Sequence, residues 1–147
     1  MDTTSNALAR ALQLLAQNPD IQEKLRKEIV DARDGQDLPY DDLVDLPFLD
    51  AVCRETLRLY PPVLITSRET CKDTIMPLSK PITGLDGTVI NEIYVPSGTL
   101  VITGNWMSNT NKELWGEDAE EWKPERWLNP LPDALKDARI PGVYSNL

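Results

Sequence analysis

The chain contains no histidine, and this absence removes the commonest general base and the commonest metal ligand of proteins. Its two cysteines, Cys53 and Cys71, are too few for a disulfide framework and indicate a reducing environment. No apolar run approaches the roughly 18 residues of a membrane span. The N-terminus is typical of neither a signal peptide nor a transit peptide. We therefore expect no membrane anchor within this chain, and a cytoplasmic location if it is soluble.

Basic residues are also scarce. Lys and Arg number 15 against 24 Asp and Glu, which gives a net charge of −9. Phosphate binding needs a basic face, so we expect no nucleic-acid partner. The charge suits a protein that docks on basic surfaces, and it keeps open the alternative of a non-catalytic acidic protein-interaction module. A hydrophobic content of 41% in 147 residues is enough for a core and argues against wholesale disorder.

The apolar spacing predicts three long helices, over 4–17, from Pro19 to about Arg33, and from about Pro47 to Leu59. The Asn18-Pro19 pair separates the first two, because proline is tolerated only at the start of a helix. The Pro61-Pro62 pair stops the third helix for the same reason. The segment 1–59 is therefore predicted to be helical.

The segment 60–104 is predicted to contain short strands and a hairpin, since β-branched residues alternate there with turn residues. The strands are expected at 66–70, 88–90, 93–95 and 99–103, with Pro96-Ser97-Gly98 as the hairpin turn. The segment 105–147 is expected to hold one short helix at 105–111 and then irregular coil. The fold class is therefore mainly α with small antiparallel β elements, an α+β arrangement.

Three short motifs occur in a fixed order along the chain. They are Asp2-Thr3-Thr4-Ser5, Glu55-Thr56-Leu57-Arg58 and Lys123-Pro124-Glu125-Arg126-Trp127, and a Leu-Tyr-Pro-Pro run follows the second. In this order they resemble the C-terminal half of a cytochrome P-450, a haem-thiolate monooxygenase, of the fungal microsomal type. The resemblance spans nearly the whole chain. It implies that 1–147 is a single fragment of a cytochrome P-450 catalytic domain with a partial cytochrome P-450 fold.

Glu55 and Arg58 lie three residues apart, so they can pair on one helical face. The residues alone favour a solvated ion pair, because that face points away from the apolar stripe of the helix. The resemblance implies instead a buried structural triad of Glu55, Arg58 and Arg126 that locks the scaffold under the haem. The planar fork of arginine suits this role, since it can bind a carboxylate and backbone carbonyls together.

The first motif is similar to the end of the family's oxygen-activating helix motif. The resemblance implies catalytic roles for Asp2 as the acid and Thr3 as the alcohol, which together would relay protons to dioxygen. From the residues alone, Asp, Thr and Ser at a helix start are typical of N-capping, and for this chain we favour that interpretation.

Arg68 aligns with a family arginine that binds a haem propionate, so the resemblance implies a cofactor-binding role for it. Val63, Leu64 and Ile65 would then be the substrate-facing segment beside it. The alternative is an ordinary surface arginine on an edge strand, next to core aliphatic residues.

The family's iron ligand is a cysteine in a Phe-x-x-Gly-x-x-x-Cys loop. The positions upstream of Cys53 and Cys71 hold neither the Phe nor the Gly, so no metal ligand is assigned. We interpret Cys53 as a core residue of its helix. The chain is thus expected to be a truncated fragment without the ligand loop, to bind no haem by itself, and to be inactive alone.

For the parent family, the resemblance implies a haem cofactor and the insertion of one oxygen atom from dioxygen into a small organic substrate. It also implies electrons from an NADPH-cytochrome reductase and a location at the endoplasmic reticulum membrane. The acidic interaction module is the competing hypothesis. Contact of Arg126 with Glu55 and Arg58 would separate the two, because an interaction module does not need it.

Overall fold

The computed structural model describes residues 2–33 and 35–137, in which a block of short strands interrupts the helices. The helices are α1 (Thr3–Gln17), α2 (Pro19–Arg33), α3 (Tyr40–Val44), α4 (Pro47–Leu59), α5 (Asn105–Asn109), α6 (Lys112–Trp115) and α7 (Asp133–Asp137). A 3-10 helix, Pro124–Leu128, lies between α6 and α7. The three long helices lie where the apolar spacing predicts them. The part of the predicted coil after residue 137 lies outside the described residues.

Local sequence explains where the first two helices begin and end. The carboxylate of Asp2 accepts the backbone N–H of Thr4 at 3.1 Å and caps α1. Asn18 ends α1, and its side-chain amide donates to the carbonyl of Leu14 at 2.8 Å. Pro19 then starts α2, at a position where its missing N–H leaves no hydrogen bond unmade.

The start of α4 is capped from a distance. Its own N-cap residue, Leu46, has no side-chain acceptor. The carboxylate of Glu28, on α2, accepts the backbone N–H of Phe48 at 2.8 Å and that of Leu49 at 2.9 Å. These are two of the N–H groups that a helix leaves without an internal partner. Glu28 therefore fixes the start of α4 against α2.

The larger apolar cluster forms where α2 and α4 pack together. Its buried members are Leu25, Phe48, Ala51 and Val52. Partly buried residues that pack against it come from both ends of the chain, namely Leu15, Ile21, Ile29, Leu49, Trp122 and Trp127. The coil near residue 125 is therefore part of the packing around α4.

Four strands form two separate antiparallel pairs. The strands are β1 (Ile65–Glu69), β2 (Thr74–Thr83), β3 (Val89–Val95) and β4 (Leu100–Gly104). Strand β1 pairs with β4, with Ile65 opposite Gly104, and β2 pairs with β3, with Thr74 opposite Val95. The predicted strands at 88–90 and 93–95 are one continuous strand.

The predicted hairpin is wrong. Pro96-Ser97-Gly98 does form a tight turn, with Gly98 at φ 78°, but it joins β3 to β4, which belong to different strand pairs. The hairpin of this region instead closes between β2 and β3, where Gly87 has φ 84°. Strand β2 escaped prediction because prolines are depleted in strands, and its register shifts between Pro77 and Ile82.

After β4 the chain is more helical than predicted. Besides α5, it forms α6, the 3-10 helix and α7, each too short to show a helical period in the sequence. The side chain of Asn111 accepts the N–H of Glu113 at 2.9 Å and caps α6. A second apolar cluster of Trp115, Ala119 and Leu135 holds these turns together.

The described residues divide into two compact units. One comprises the residues before 65 and after 104, and the other is Ile65–Gly104. The first is helical and the second contains the two strand pairs, so the predicted α+β class is confirmed. None of the helices described is both long enough and apolar enough to cross a bilayer.

Candidate functional site

Glu55 and Arg58 form a two-pronged ion pair in the interior of the helical unit. The Nε and Nη2 atoms of Arg58 donate to the two carboxylate oxygens of Glu55, each at 2.8 Å. The side chains are 0% and 2% exposed. The interpretation of this pair as a solvated surface contact is therefore wrong. The paired geometry matters because a buried charge is tolerated only with its hydrogen bonds made.

The remaining donors of Arg58 bind main-chain carbonyls. Nη1 donates to Asn109 at 2.7 Å and to Ala119 at 2.5 Å, and Nη2 also donates to Glu121 at 3.1 Å. Together with the two bonds to Glu55, these account for all five N–H groups of a guanidinium. Arg58 thus ties α4 to three separate points of the chain that follows β4.

Arg126 reaches the same carboxylate from the 3-10 helix. Its Nε lies 3.4 Å from Oε1 of Glu55, and its side chain is 7% exposed. Its other nitrogens bind Asp118, with 2.8 Å to Oδ1 and 2.8 Å to the carbonyl oxygen. The structure therefore brings the three residues of the triad together. That they serve to lock a scaffold under haem stays a prediction.

Asp118 extends the triad toward solvent. The hydrogen bond from Arg126 and, to a smaller extent, the one from Lys123 together lower the pKa of Asp118 to about 2, against the opposing effect of burial. Nζ of Lys123 lies 3.1 Å from Oδ2 of Asp118. Two carboxylates thus face two arginines, so the charges of Glu55, Arg58, Arg126 and the partly exposed Asp118 balance one another.

Sequence reasoning missed two more partners of Glu55. The indole N–H of Trp127 donates to Oε2 at 2.9 Å, and the backbone N–H of Lys123 donates to Oε1 at 3.0 Å. The family segment has Phe where this chain has Trp127, so the extra N–H was a signal that could have been followed. The contact from Lys123 comes from the main chain, so the type of residue at that position does not predict it.

Asp2 and Thr3 are exposed, and Asp2 acts as a cap. Its carboxylate accepts the N–H of Thr4 and, at 3.5 Å, the hydroxyl of Ser5. The capping interpretation describes these contacts. Oxygen activation by Asp2 and Thr3 stays a prediction, because no contact of theirs bears on it.

Arg68 lies in the strand unit, on β1 opposite Val101, and is exposed. Its Nη1 donates to the carbonyl of the preceding Ser67 at 2.9 Å. A guanidinium so placed has donors to spare for an anion. Its role toward a haem propionate stays a prediction.

Of the three predicted substrate-facing residues, Val63 and Leu64 belong to the helical unit, where they are 46% and 57% exposed. Leu64 lines a groove of about 450 Å³ together with Tyr60 and Trp106. Ile65, the first residue of β1, is 62% exposed. They are therefore not the core aliphatic residues of the alternative interpretation, and their contact with a substrate stays a prediction.

Both cysteines are exposed and free. The interpretation of Cys53 as a core residue is therefore wrong, since α4 turns that position outward. Within residues 2–33 and 35–137, no group of three or more metal-ligating side chains comes together. Neither cysteine lies in a loop of the pattern that an axial thiolate needs, so the described residues offer Arg68 for the edge of a haem but nothing that fits its iron.

Comparison with known proteins gives these motifs a context. The family model of cytochrome P-450 matches residues 1–139. The chain is 62% identical over 151 residues to a ganoderic acid synthetase of Ganoderma lucidum, and 64% identical over 148 residues to cytochrome P-450 monooxygenase 91 of Postia placenta. Both alignments cover 100% of this chain, but only 28% and 27% of the relatives. A cytochrome P-450 monooxygenase of Hericium erinaceus is 48% identical over 149 residues. The chain spans about a quarter of the length of the curated relatives it matches, and it belongs to the cytochrome P-450 family.

Proposed function

We propose that this chain is part of a haem-dependent monooxygenase that inserts one oxygen atom from dioxygen into a small organic substrate. The family match and the names of the relatives support this activity. The same resemblance supports an NADPH-cytochrome reductase as electron donor and the endoplasmic reticulum membrane as the location of the whole enzyme. The ordered motifs favour this hypothesis over an acidic interaction module, which gives no reason for them.

Within such an enzyme, we propose that this chain holds α4 rigidly against the coil that follows the strand unit. We call the cluster of Glu55, Arg58 and Arg126 that does so the brace. The observation that carries the proposal is that every N–H group of buried Arg58 is used, two on Glu55 and three on main-chain carbonyls. A helix held in this way keeps a fixed distance from the coil that follows the strand unit. The chain's own residues thereby supply rigidity, which active-site groups need to stay in productive geometry.

Haem, when bound in the family, supplies an iron centre that activates dioxygen. The described residues do not fit the iron itself, so no chemical step is assigned to them through it. Arg68 is proposed to bind a propionate through its exposed guanidinium. Asp2 and Thr3 are proposed to supply an acid and an alcohol for proton transfer, which would require them to exchange their capping contacts for contacts within the whole enzyme.

A segment exchange tests the proposal. This chain replaces the corresponding segment of cytochrome P-450 monooxygenase 91, to which it is 64% identical. We expect the reduced, carbon-monoxide-bound hybrid to show the absorption band of a thiolate-ligated haem, and we expect it to oxidise the relative's substrates with a reductase present. Arg58→Ala in the hybrid should abolish the band. Arg26→Ala should leave it unchanged, since Arg26 is 62% exposed and pairs with its helical neighbour Glu23.

Two results would contradict the proposal. One is a folded hybrid that lacks the band while the unmodified relative shows it. The other is an Arg58→Ala hybrid that keeps both the band and full oxidation activity, because the brace would then be dispensable.

A further inference from the structure

Trp127 lies where the triad meets both apolar clusters. Its indole N–H lies 2.9 Å from Oε2 of Glu55, a carboxylate that is 0% exposed. Its ring packs edge-on against Trp115, with 5.6 Å between the ring centroids. It also packs against the cluster around Phe48 and the one around Ala119. Trp127 therefore contacts the buried carboxylate of Glu55 and packs against both apolar clusters.

The two oxygens of Glu55 are not equally supplied with donors. Oε1 accepts from Arg58, from the backbone of Lys123 and from Arg126. Oε2 accepts from Arg58 and from Trp127. If Trp127 lost its N–H, Oε2 would keep one of these two donors, in a place that water does not reach. An unmet hydrogen bond on a buried charged group is costly.

Consecutive residues of the 3-10 helix thus hold different oxygens of one planar group. Arg126 binds Oε1 and Trp127 binds Oε2. Arg126 also binds Asp118, and the contact from Trp127 to the second oxygen of Glu55 adds to the resistance of the 3-10 helix to rotation about its axis. Oε1 has the backbone of Lys123 as a further donor, whereas Oε2 has Trp127 as its donor besides Arg58.

We propose that Trp127 is a positioning residue of the brace, whose indole N–H fixes the rotation of the segment Pro124–Leu128 that presents Arg126 to Glu55. The phenylalanine of the family segment has no N–H and cannot make this contact. The proposal rests on the proposed function in that the brace serves a monooxygenase scaffold. Its test needs neither haem nor turnover.

The test exchanges the N–H of the indole for sulfur without changing its shape. Trp127 is replaced in the full chain by 3-benzothienylalanine, and the matched control carries the same replacement at Trp106, which is 45% exposed. We expect the unfolding equilibrium constant from urea titration to rise roughly tenfold for the variant at 127, and to change less than about twofold for the control. Isotope-edited infrared spectra with labelled glutamate should show a shifted carboxylate band only for the variant at 127.

Equal effects at the two positions, or an unchanged carboxylate band, would overturn the proposal, because Trp127 would then only fill space. If the variant at 127 does not fold, hydrogen exchange in the unmodified chain decides. We expect the indole N–H of Trp127 to exchange at least about tenfold more slowly than that of Trp106, as a buried hydrogen bond requires. Equally fast exchange would refute the contact. A failed segment exchange combined with slow indole exchange would sink the proposed function alone.

Discussion

Two helices of this chain carry the same Glu-x-Leu-Arg pattern in opposite surroundings. On α2, Glu23 and Arg26 are 75% and 62% exposed, and a single 3.4 Å contact joins them. On α4, Glu55 and Arg58 are 0% and 2% exposed, and two 2.8 Å contacts join them. The spacing thus makes an ion pair possible, but it does not decide whether the pair is buried.

The two helices differ in whether a later part of the chain packs over the charged pair. On α2 the leucine within the pattern, Leu25, is buried in the core, so the charged residues point outward. On α4 the apolar side packs on α2. The chain that follows β4 covers the charged pair as well, since Arg58 binds the carbonyls of Asn109, Ala119 and Glu121. A helix covered on both sides must satisfy its charges internally. A remote segment of the chain, rather than the helix itself, therefore determines that the Glu-Arg pair of α4 is buried.

The largest expected effect comes from removing the buried arginine. Arg58→Ala leaves Glu55 buried without its main partner, so we expect a loss of about 3–5 kcal/mol in the free energy of unfolding. Arg26→Ala removes an exposed partner and should cost less than about 0.5 kcal/mol. Urea titration followed by far-UV circular dichroism measures both variants. Similar losses at the two sites would break the comparison.

Removing the distant cap of α4 should have the next largest effect. Glu28→Ala leaves the N–H groups of Phe48 and Leu49 without their acceptor, and we expect a loss of about 1–2 kcal/mol. Glu23→Ala, one turn earlier on α2, is the control and should change stability by about 0.5 kcal/mol or less. Thermal unfolding of both variants provides the measurement. A neutral Glu28→Ala would mean that water replaces the cap.

Acid should weaken the contacts around the buried pair through the protonation of Asp118. The pKa of Asp118 is about 2 in the folded chain, against an ordinary value of 3.8, because Arg126 and Lys123 hydrogen-bond to its carboxylate. A lowered folded-state pKa gives stability that is fully present above the ordinary value and is lost as the pH falls through about 2. We therefore expect the melting temperature to fall between about pH 4 and pH 2.

Asp118→Asn should make that fall shallower, because the substituted residue no longer titrates. Glu23→Gln is the control for removal of a carboxylate, since Glu23 is 75% exposed and pairs with Arg26 on the surface of α2. Melting temperatures at several pH values in this window provide the measurement. Parallel curves for Asp118→Asn and the unmodified chain would contradict the assignment.

The smallest expected effect is the salt dependence of the coupling within each ion pair, which tests the difference in burial between them. A double-mutant cycle on Glu23 and Arg26 should give a coupling of about 0.3–0.5 kcal/mol. At 1 M NaCl this coupling should fall by half or more, because the screening length is then only about 3 Å. The same cycle on Glu55 and Arg58 should be insensitive to salt, since ions do not reach the pair. A salt-sensitive coupling at the buried pair would show that it opens to solvent.

Much of the helical part could be predicted from the sequence, because its signals are local. The proline that starts α2 and the proline pair after α4 mark helix boundaries through steric rules that need no partner. Strand pairing could not be predicted in this way. The turn at Pro96–Gly98 has the residues of any tight turn, and nothing in them states which strands it joins. Its assignment as a hairpin failed for that reason.

The candidate site, too, could be predicted from the sequence only where the signal is local. The helical wheel placed Glu55 and Arg58 away from the apolar stripe, which is true of α4 alone, and it therefore favoured a solvated pair. Only the resemblance to a family connected them to Arg126, which lies 71 residues from Glu55 in sequence. The contacts from the Lys123 backbone and from Trp127 depend on three-dimensional packing that no residue spacing encodes.

The three main-chain carbonyl contacts of Arg58 affect which substitutions the surrounding chain can tolerate. A carbonyl oxygen is present whatever side chain its residue carries, so substitutions at Asn109 or Glu121 leave the acceptor in place. Ala119 is constrained by size, since it is 0% exposed, and Asn109 is constrained by its side-chain amide, which donates to the carbonyl of Arg58 at 3.1 Å. The coil can therefore accumulate mutations around a fixed anchor.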